Sequence, residues 1–330
     1  MTNDPLDLLR LDSPPVMPRA EFADRLEDRM RRALVPLAEL LGRERSTMPT
    51  ETVPTPDAEV VVPAIAPGLR CADAHREIRW LEEVLSFRLT MLYEEPNGDV
   101  AYAQLRWGTG AVNLSTYTGP GRMPETGAAS VILEAGDVDA VDRIHQRVVA
   151  AGAEVIVPIE DTPHGSRGFS IRDPEGHVWN VGTARDQTGG PKVVQSVQLR
   201  NPRAGMRWLE EALGFTLDEV FERAGPDGVF FTAYMSWRDG VLHVGPRHDR
   251  PGRMPSTGPV PSVLTAADSA AVDALYARAV AAGAEVVVAV EDAPHGSHGF
   301  SLRDHDGNLW NVSNPWQNTE AARRMPQRRL

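Results

Sequence analysis

Cysteine is nearly absent. Among 330 residues only Cys71 occurs, which excludes an internal disulfide framework and any zinc ribbon, since both need paired cysteines. That usage fits a reducing cytosol. No apolar stretch approaches the ~18–20 residues that cross a bilayer, and the start, MTNDPLDLLRLD, lacks the cationic opening and apolar run of a secretory signal. The chain reads as a soluble, non-secreted, cytoplasmic protein. Positive charge is in deficit as well. Lys and Arg number 34 against 46 Asp and Glu, a net charge of −12, and such a balance repels phosphate backbones and anionic lipid. Neither nucleic acid nor a membrane is an expected partner. The common catalytic signatures are missing too: there is no GxSxG elbow, no GxxxxGK(S/T) loop and no HExxH.

What the chain does contain, it contains twice. Residues 161–181 read DTPHGSRGFSIRDPEGHVWNV and residues 292–312 read DAPHGSHGFSLRDHDGNLWNV. Each copy predicts a strand, a tight Asp-x-x-Gly turn and a partner strand. RWLEEVLSF at 79–87 returns as RWLEEALGF at 207–215, and PGRMP and AAGAEV also recur. Insertions between the copies fall in loops, as expected of a duplicated domain.

Taken in order, residues 1–60 form a Pro-rich leader, an amphipathic stripe (Phe22, Leu26, Met30, Leu34, Leu37, Leu41) and a polar linker. The stripe predicts an N-terminal helical segment packed on this chain or a partner. From about residue 61 the pattern is strand (66–73), helix (74–87) and three strands (88–95, 100–108, 111–118). A second strand, helix and three strands then run to residue 186. Residues 192–317 repeat the whole series, and 318–330 form a basic tail. The predicted class is α+β: four βαβββ modules, two to a domain, with domains at 61–186 and 192–317.

These motifs together resemble the vicinal oxygen chelate (VOC) superfamily, in its glyoxalase-like, bleomycin-resistance-like and PhnB-like forms, over about residues 61–317. The resemblance implies that strands curl into cups. In the metal-using members His, Gln or Glu side chains on those strands hold one divalent ion; other members bind a drug with no metal. Carried onto this sequence, the ligand positions fall on Asn113 and Asn180 in the first domain, and on His243 and Asn311 in the second. The strand-opening positions fall near Ala66, Val131, Val194 and Val263, with Gln195 one residue out of register. Two amides without a carboxylate make a poor site for a catalytic divalent ion, so no metal cofactor is expected.

Strand alternation puts Asn113 with Ser115, Tyr102 with Gln104, and Thr232 with Tyr234 on common faces. Apolar walls carrying amides, hydroxyls and aromatic rings suit a small, partly apolar or aromatic ligand. The expected function is metal-free binding of a drug or metabolite. The alternative is a VOC enzyme of the isomerase, lyase or dioxygenase type, using a divalent ion or His243 as general base. Trp107 and Trp237 could stack a planar ligand or fill the core. His164, His295 and His177 read as turn residues and His75 and His145 as solvated helix residues. Fusion of two copies predicts a pseudo-dimer within one chain, with two unequal pockets.

Overall fold

The computed structural model describes residues 62–118, 127–161, 166–185, 192–225, 228–247, 258–293 and 296–315. The amphipathic stripe, both PGRMP loops, His164, His295 and the basic tail lie outside the described residues. Four βαβββ modules are present. The first is β1 (Ile65–Cys71), α1 (Ala74–Leu85), β2 (Arg88–Glu94), β3 (Val100–Trp107) and β4 (Gly110–Thr116). The second is β5 (Ser130–Glu134), α2 (Val138–Ala150), β6 (Glu154–Asp161), β7 (Arg167–Arg172) and β8 (Val178–Gly182). The third is β9 (Lys192–Leu199), α3 (Pro202–Trp208) running on into a π turn (Leu209–Leu213), β10 (Thr216–Gly225), β11 (Gly228–Trp237) and β12 (Gly240–Pro246). The fourth is β13 (Pro261–Thr265), α4 (Ser269–Ala281), β14 (Glu285–Asp292), β15 (His298–Arg303) and β16 (Leu309–Ser313).

Local chemistry sets where the helices begin. Asp73, Asp137, Asn201 and Asp268 each accept from the backbone N–H three residues on, which satisfies a donor the first turn leaves open. At the other end of α1, Ser86 takes the left-handed conformation at φ 62° and Phe87 N–H closes on Leu81 C=O. The third module ends its helix with Gly214 at φ 78°, the residue that adopts this geometry without strain. Among the described residues no helix is long and apolar enough to cross a membrane.

The strands form two eight-stranded sheets, ordered β14-β15-β16-β13-β1-β4-β3-β2 and β10-β11-β12-β9-β5-β8-β7-β6. The first module therefore shares a sheet with the fourth, and the second with the third. The joints are antiparallel: β1 meets β13 with Ala66 opposite Val263, and β5 meets β9 with Ile132 opposite Val194. The helix-side cores divide differently. One unites Leu69, Leu81, Leu105, Val141, Ile171 and Trp179; the other unites Val197, Leu213, Leu242, Val272, Leu302 and Trp310. Helices thus pack within a half of the chain, while strand ladders cross between halves. Close backbone approach adds to the junction. A Cβ on Gly110 would stand 2.7 Å from Val193 Cβ, and one on Gly240 would stand 2.6 Å from Ile65 Cγ1, so both turn glycines are sterically required.

The RDxxGxxW motif has a structural purpose. Asp304 accepts from Asp306 N and Asn308 N at 2.9 Å, from Asn308 Nδ2 at 2.9 Å and from the Trp310 indole at 3.0 Å. Asp173 does the same for Glu175 N, His177 N and Trp179. Each carboxylate pins a hairpin turn to a wholly buried tryptophan, whose ring meets Phe87 or Phe215 edge-on.

Two candidate ligand-binding cups

Each sheet has one face against its helices and one opposite face, which forms a cup. Residues paired across neighbouring strands share a face, so the register assigns each side chain. The first cup carries Tyr102, Gln104, Asn113, Ser115 and Asn311. The second carries Asn180, Thr232, Tyr234 and His243. Each of the nine polar and aromatic side chains expected to bind a ligand thus lies on a cup face. The grouping differs from that expected from the repeats: Asn113 shares its sheet with Asn311 instead of Asn180, because the sheets join across the halves. One strand-opening position also shifts. Val131 is opposite Trp179, in the core, and its neighbour Ile132 takes the cup face opposite Asn180. Gln195, paired with Val131, points to the helix side and is buried.

In the first cup a chain of hydrogen bonds runs across three strands. Thr90 Oγ1 donates to Gln104 at 3.0 Å (backbone O) and 3.3 Å (Oε1), Gln104 Nε2 to the Tyr102 hydroxyl at 3.4 Å, and that hydroxyl to Asn113 Oδ1 at 3.0 Å. On the other wall Ser301 Oγ donates to Asn311 Oδ1 at 2.8 Å. Both asparagine carbonyls are thereby occupied. Among the described residues no acceptor takes either amide N–H2 group. Burial pushes the Tyr102 phenol upward, which keeps it a neutral donor.

The second cup is more self-contained. His243 has Nδ1 at 2.9 Å from Ser196 Oγ and Nε2 at 2.8 Å from Thr232 Oγ1, so both ring nitrogens are engaged. Burial, with a smaller push from Arg185, lowers its pKa to about 4. The ring is neutral at neutral pH. Asn180 accepts from Ser170 at 2.8 Å and donates to Val131 C=O at 3.4 Å. Arg185 stacks over the Tyr234 ring at 3.8 Å and pairs with Glu219 at 3.3 Å, while Glu134 is buried on the same face.

The other nominated groups have structural places. Trp107 and Trp237 donate to the Leu85 and Leu213 carbonyls at the ends of their helices and pack beside Phe87 and Phe215; they belong to the core. His177 is buried, accepts from Ala129 N at 2.9 Å and lies 3.7 Å from Cys71 Sγ, and burial lowers its pKa. His75 meets Gly98 C=O and Glu94, and His145 sets its ring against Phe169.

Two features were missed by sequence reasoning. The first is Glu77, on α1 and fully buried. No well-formed hydrogen bond reaches either of its oxygens, although it stands close enough to Asp173 to share a proton. Burial first, then the Asp173 charge and that shared proton, push its pKa to about 10. Its counterpart in the other half is Gly205, where a Cβ would collide with Leu199, itself the counterpart of Cys71. Aligning the halves exposes this exchange of Cys71 and Glu77 for Leu199 and Gly205. The second is a set of arginines on the first cup, Arg70, Arg88 and Arg106, replaced in the third module by Gln198, Thr216 and Ser236. A cavity of about 570 Å³ also opens at the turn end of β2 and β3, bordered by Glu95, Asp99 and Ser115.

The family model for the "Glyoxalase/Bleomycin resistance protein/Dioxygenase superfamily" matches residues 62–181 and 194–312. The chain belongs to this family, as a tandem of glyoxalase-like halves. Proteins of Mycobacterium bovis and Mycobacterium tuberculosis named "Putative glyoxylase CFP32" are 27% identical over 185 residues, covering 54% of this chain and 67% of theirs. Glyoxalase I from Zea mays superposes with a TM-score of 0.57 at 16% identity, over 76% of this chain and 92% of the maize chain; that likeness speaks to fold alone.

The family's metal-using members prompt a test of the donor set. At the corresponding positions the first cup offers Asn113, Asn311, Ala66 and Val263. The second offers Asn180, Val194, Ile132 and a His243 whose nitrogens are both taken. Among the described residues no three His, Cys, Asp or Glu side chains converge as a metal-holding group. Neutral amides and alkyl groups supply no anionic ligand, so these residues do not fit a catalytic divalent ion.

Proposed function

We propose that this protein binds small organic molecules in its cups through hydrogen bonds and ring contacts, without a divalent metal. The observation that supports this most directly is the amide pair of the first cup: Asn113 and Asn311 hold their carbonyls against the wall and leave N–H2 donors for a guest. A metal-holding cup needs the reverse, lone pairs directed inward. Tyr93 and Tyr102, with ring centroids 6.3 Å apart, add aromatic surface suited to a partly apolar ligand. The enzyme alternative draws less support. A general base needs a free nitrogen and a pKa near the working pH, and His243 has neither.

Shared sheets also support the reading of the chain as an internal pseudo-dimer, each cup built from one module of either half. The two cups differ in charge and in free donors, so their ligand affinities should differ as well.

The metal-free reading is tested by dialysing the full chain against chelator and titrating Ni(II), Zn(II), Mn(II) and Fe(II) by calorimetry. No stoichiometric uptake at micromolar concentrations is expected, and melting temperature should not move with any of the four. One equivalent retained through dialysis would overturn the reading. For His243 the expected signature is thermodynamic. Its folded pKa lies below the unfolded value, so its contribution to stability is present above about pH 6.5 and lost as pH falls toward 4. His243→Asn should flatten stability over that window, and an unchanged acid limb would contradict the neutral, doubly bonded imidazole.

A further inference from the structure

Resting on the metal-free binding reading, we propose that the first cup is an organic-anion site, selective for ligands bearing a carboxylate. The carboxylate would lie between the Asn113 amide and the Arg88–Arg106 pair. Three observations converge on that end of the cup.

The first is register. Arg106 is opposite Ala111 and Arg88, and the next cup-facing row holds Gln104, Asn113 and Gly68. Rows on one face are about 6.6 Å apart along a strand, so a guanidinium row adjoins the amide row. Gly68 has no side chain of its own beside Asn113, and the Pro261 ring packs over it, with its Cβ 3.2 Å from where a Gly68 Cβ would stand. Arg70 occupies the following row, opposite Ser115. Donors therefore flank the amide on either side.

The second is the charge balance. No cup-facing position of β1, β2, β3 or β4 among the described residues carries a carboxylate. Neither Arg88 nor Arg106 has an ion-pair partner among the described residues. In a protein of net charge −12, the adjacent Arg88 and Arg106, with no ion-pair partner among the described residues, concentrate anions on that wall. Guanidinium and amide N–H donors match the two oxygens of a carboxylate.

The third is the contrast between halves. The third module has the same backbone register, with Thr216 opposite Ser236 where Arg88 is opposite Arg106. Yet it carries neutral hydroxyls there, and Ser236 donates to Asp218 at 2.9 Å. Its cup also contains Glu134 and Glu219. One scaffold thus supports a cationic wall in the first module and a charge-matched cup in the other sheet, where Glu219 pairs with Arg185 and Glu134 lies opposite Lys192. The acidic cavity at Glu95 and Asp99 lies beyond the Arg70 end, which leaves the Arg106 end as the anion subsite.

The test uses 4-fluorobenzoate and its neutral amide, 4-fluorobenzamide, with fluorine NMR titration of the full chain. One fluorobenzoate should bind per chain at millimolar or lower concentration, with the amide weaker by about tenfold or more. Importing the third module's own residues, Arg88→Thr with Arg106→Ser, should weaken fluorobenzoate about tenfold and leave fluorobenzamide within about twofold. That double variant keeps a side-chain set the fold already tolerates at these positions, and Arg106→Lys should recover part of the loss. Three outcomes overturn the proposal. Equal affinity for the two probes removes the charge selectivity while leaving small-molecule binding intact. Fluorobenzoate binding that survives the double variant and disappears with Arg185→Gln moves the site to the second cup. If neither probe binds at tens of millimolar, both this proposal and the binding reading beneath it fail.

Discussion

Raising the pH from 6 to 9 is expected to weaken the fold by about 4 kcal/mol through Glu77 alone, at roughly 1.4 kcal/mol per proton per pH unit. The sign follows from the direction of the shift. Buried beneath the second module's hairpin turn, Glu77 keeps its proton up to about pH 10, whereas in the unfolded chain it ionises in the ordinary carboxylate range. Between those values the folded state holds the extra proton. Stability is therefore fully present at acid pH and drains away as pH climbs through the window. The groups facing Glu77 reinforce this: Asp173 and Glu175 are acidic and Arg76 opposes them only weakly, while the neighbouring Cys71 thiol is itself pushed upward by burial. Glu77→Gln removes the titration and keeps the shape. Denaturant midpoints measured from pH 5 to 9.5 should give nearly equal stability at the acid end and a more stable variant at the alkaline end. A constant difference between the two proteins at every pH would dismiss the assignment.

The other large effect is expected at Asp304. Replacing it with Ala should destabilise the protein by about 3–5 kcal/mol, the range for breaking a buried hydrogen-bonded carboxylate network. The loss has an identifiable origin. Four donors, two of them backbone N–H groups of the turn, one the Asn308 amide and one the Trp310 indole, lose their acceptor at once. Trp310 is completely buried, so water cannot replace the carboxylate without opening the core. Asp304→Asn should fall between wild type and Ala, because the amide retains one acceptor oxygen and presents a competing N–H2. Guanidinium unfolding followed by tryptophan fluorescence would measure all three proteins. A loss under about 1 kcal/mol for Ala would mean the motif's aspartate is not what anchors the tryptophan.

Much of the local structure was legible. The first module's strands and helix fall within a residue or two of the expected ranges, because helix starts are written in Asp73, Asp137, Asn201 and Asp268 and hairpins in their Asp-x-x-Gly turns. The side chains nominated for the cups also face them, since alternation along a strand is a local property. Where the reading slipped, it slipped by one residue at β5. Val131 and Ile132 are both apolar, and only pairing with β8 and β9 decides which is inward. Glu77 was invisible for a related reason. On a helix wheel it is a charge among charges, and its burial comes from a turn about a hundred residues away in the chain.

By itself the sequence determined the duplication, the βαβββ order and the kinds of side chain that line the cups, because caps, turns and alternation act over a few residues. Tertiary structure decided which modules share a sheet. Strand edges in all four modules are chemically alike, and the choice of β1 with β13 and β5 with β9 depends on contacts between distant parts of the chain. That choice put Asn113 beside a wall from the fourth module, kept the arginines of the first module apart from the charge-matched cup of the other sheet, and enclosed a carboxylic acid where the other half has only glycine.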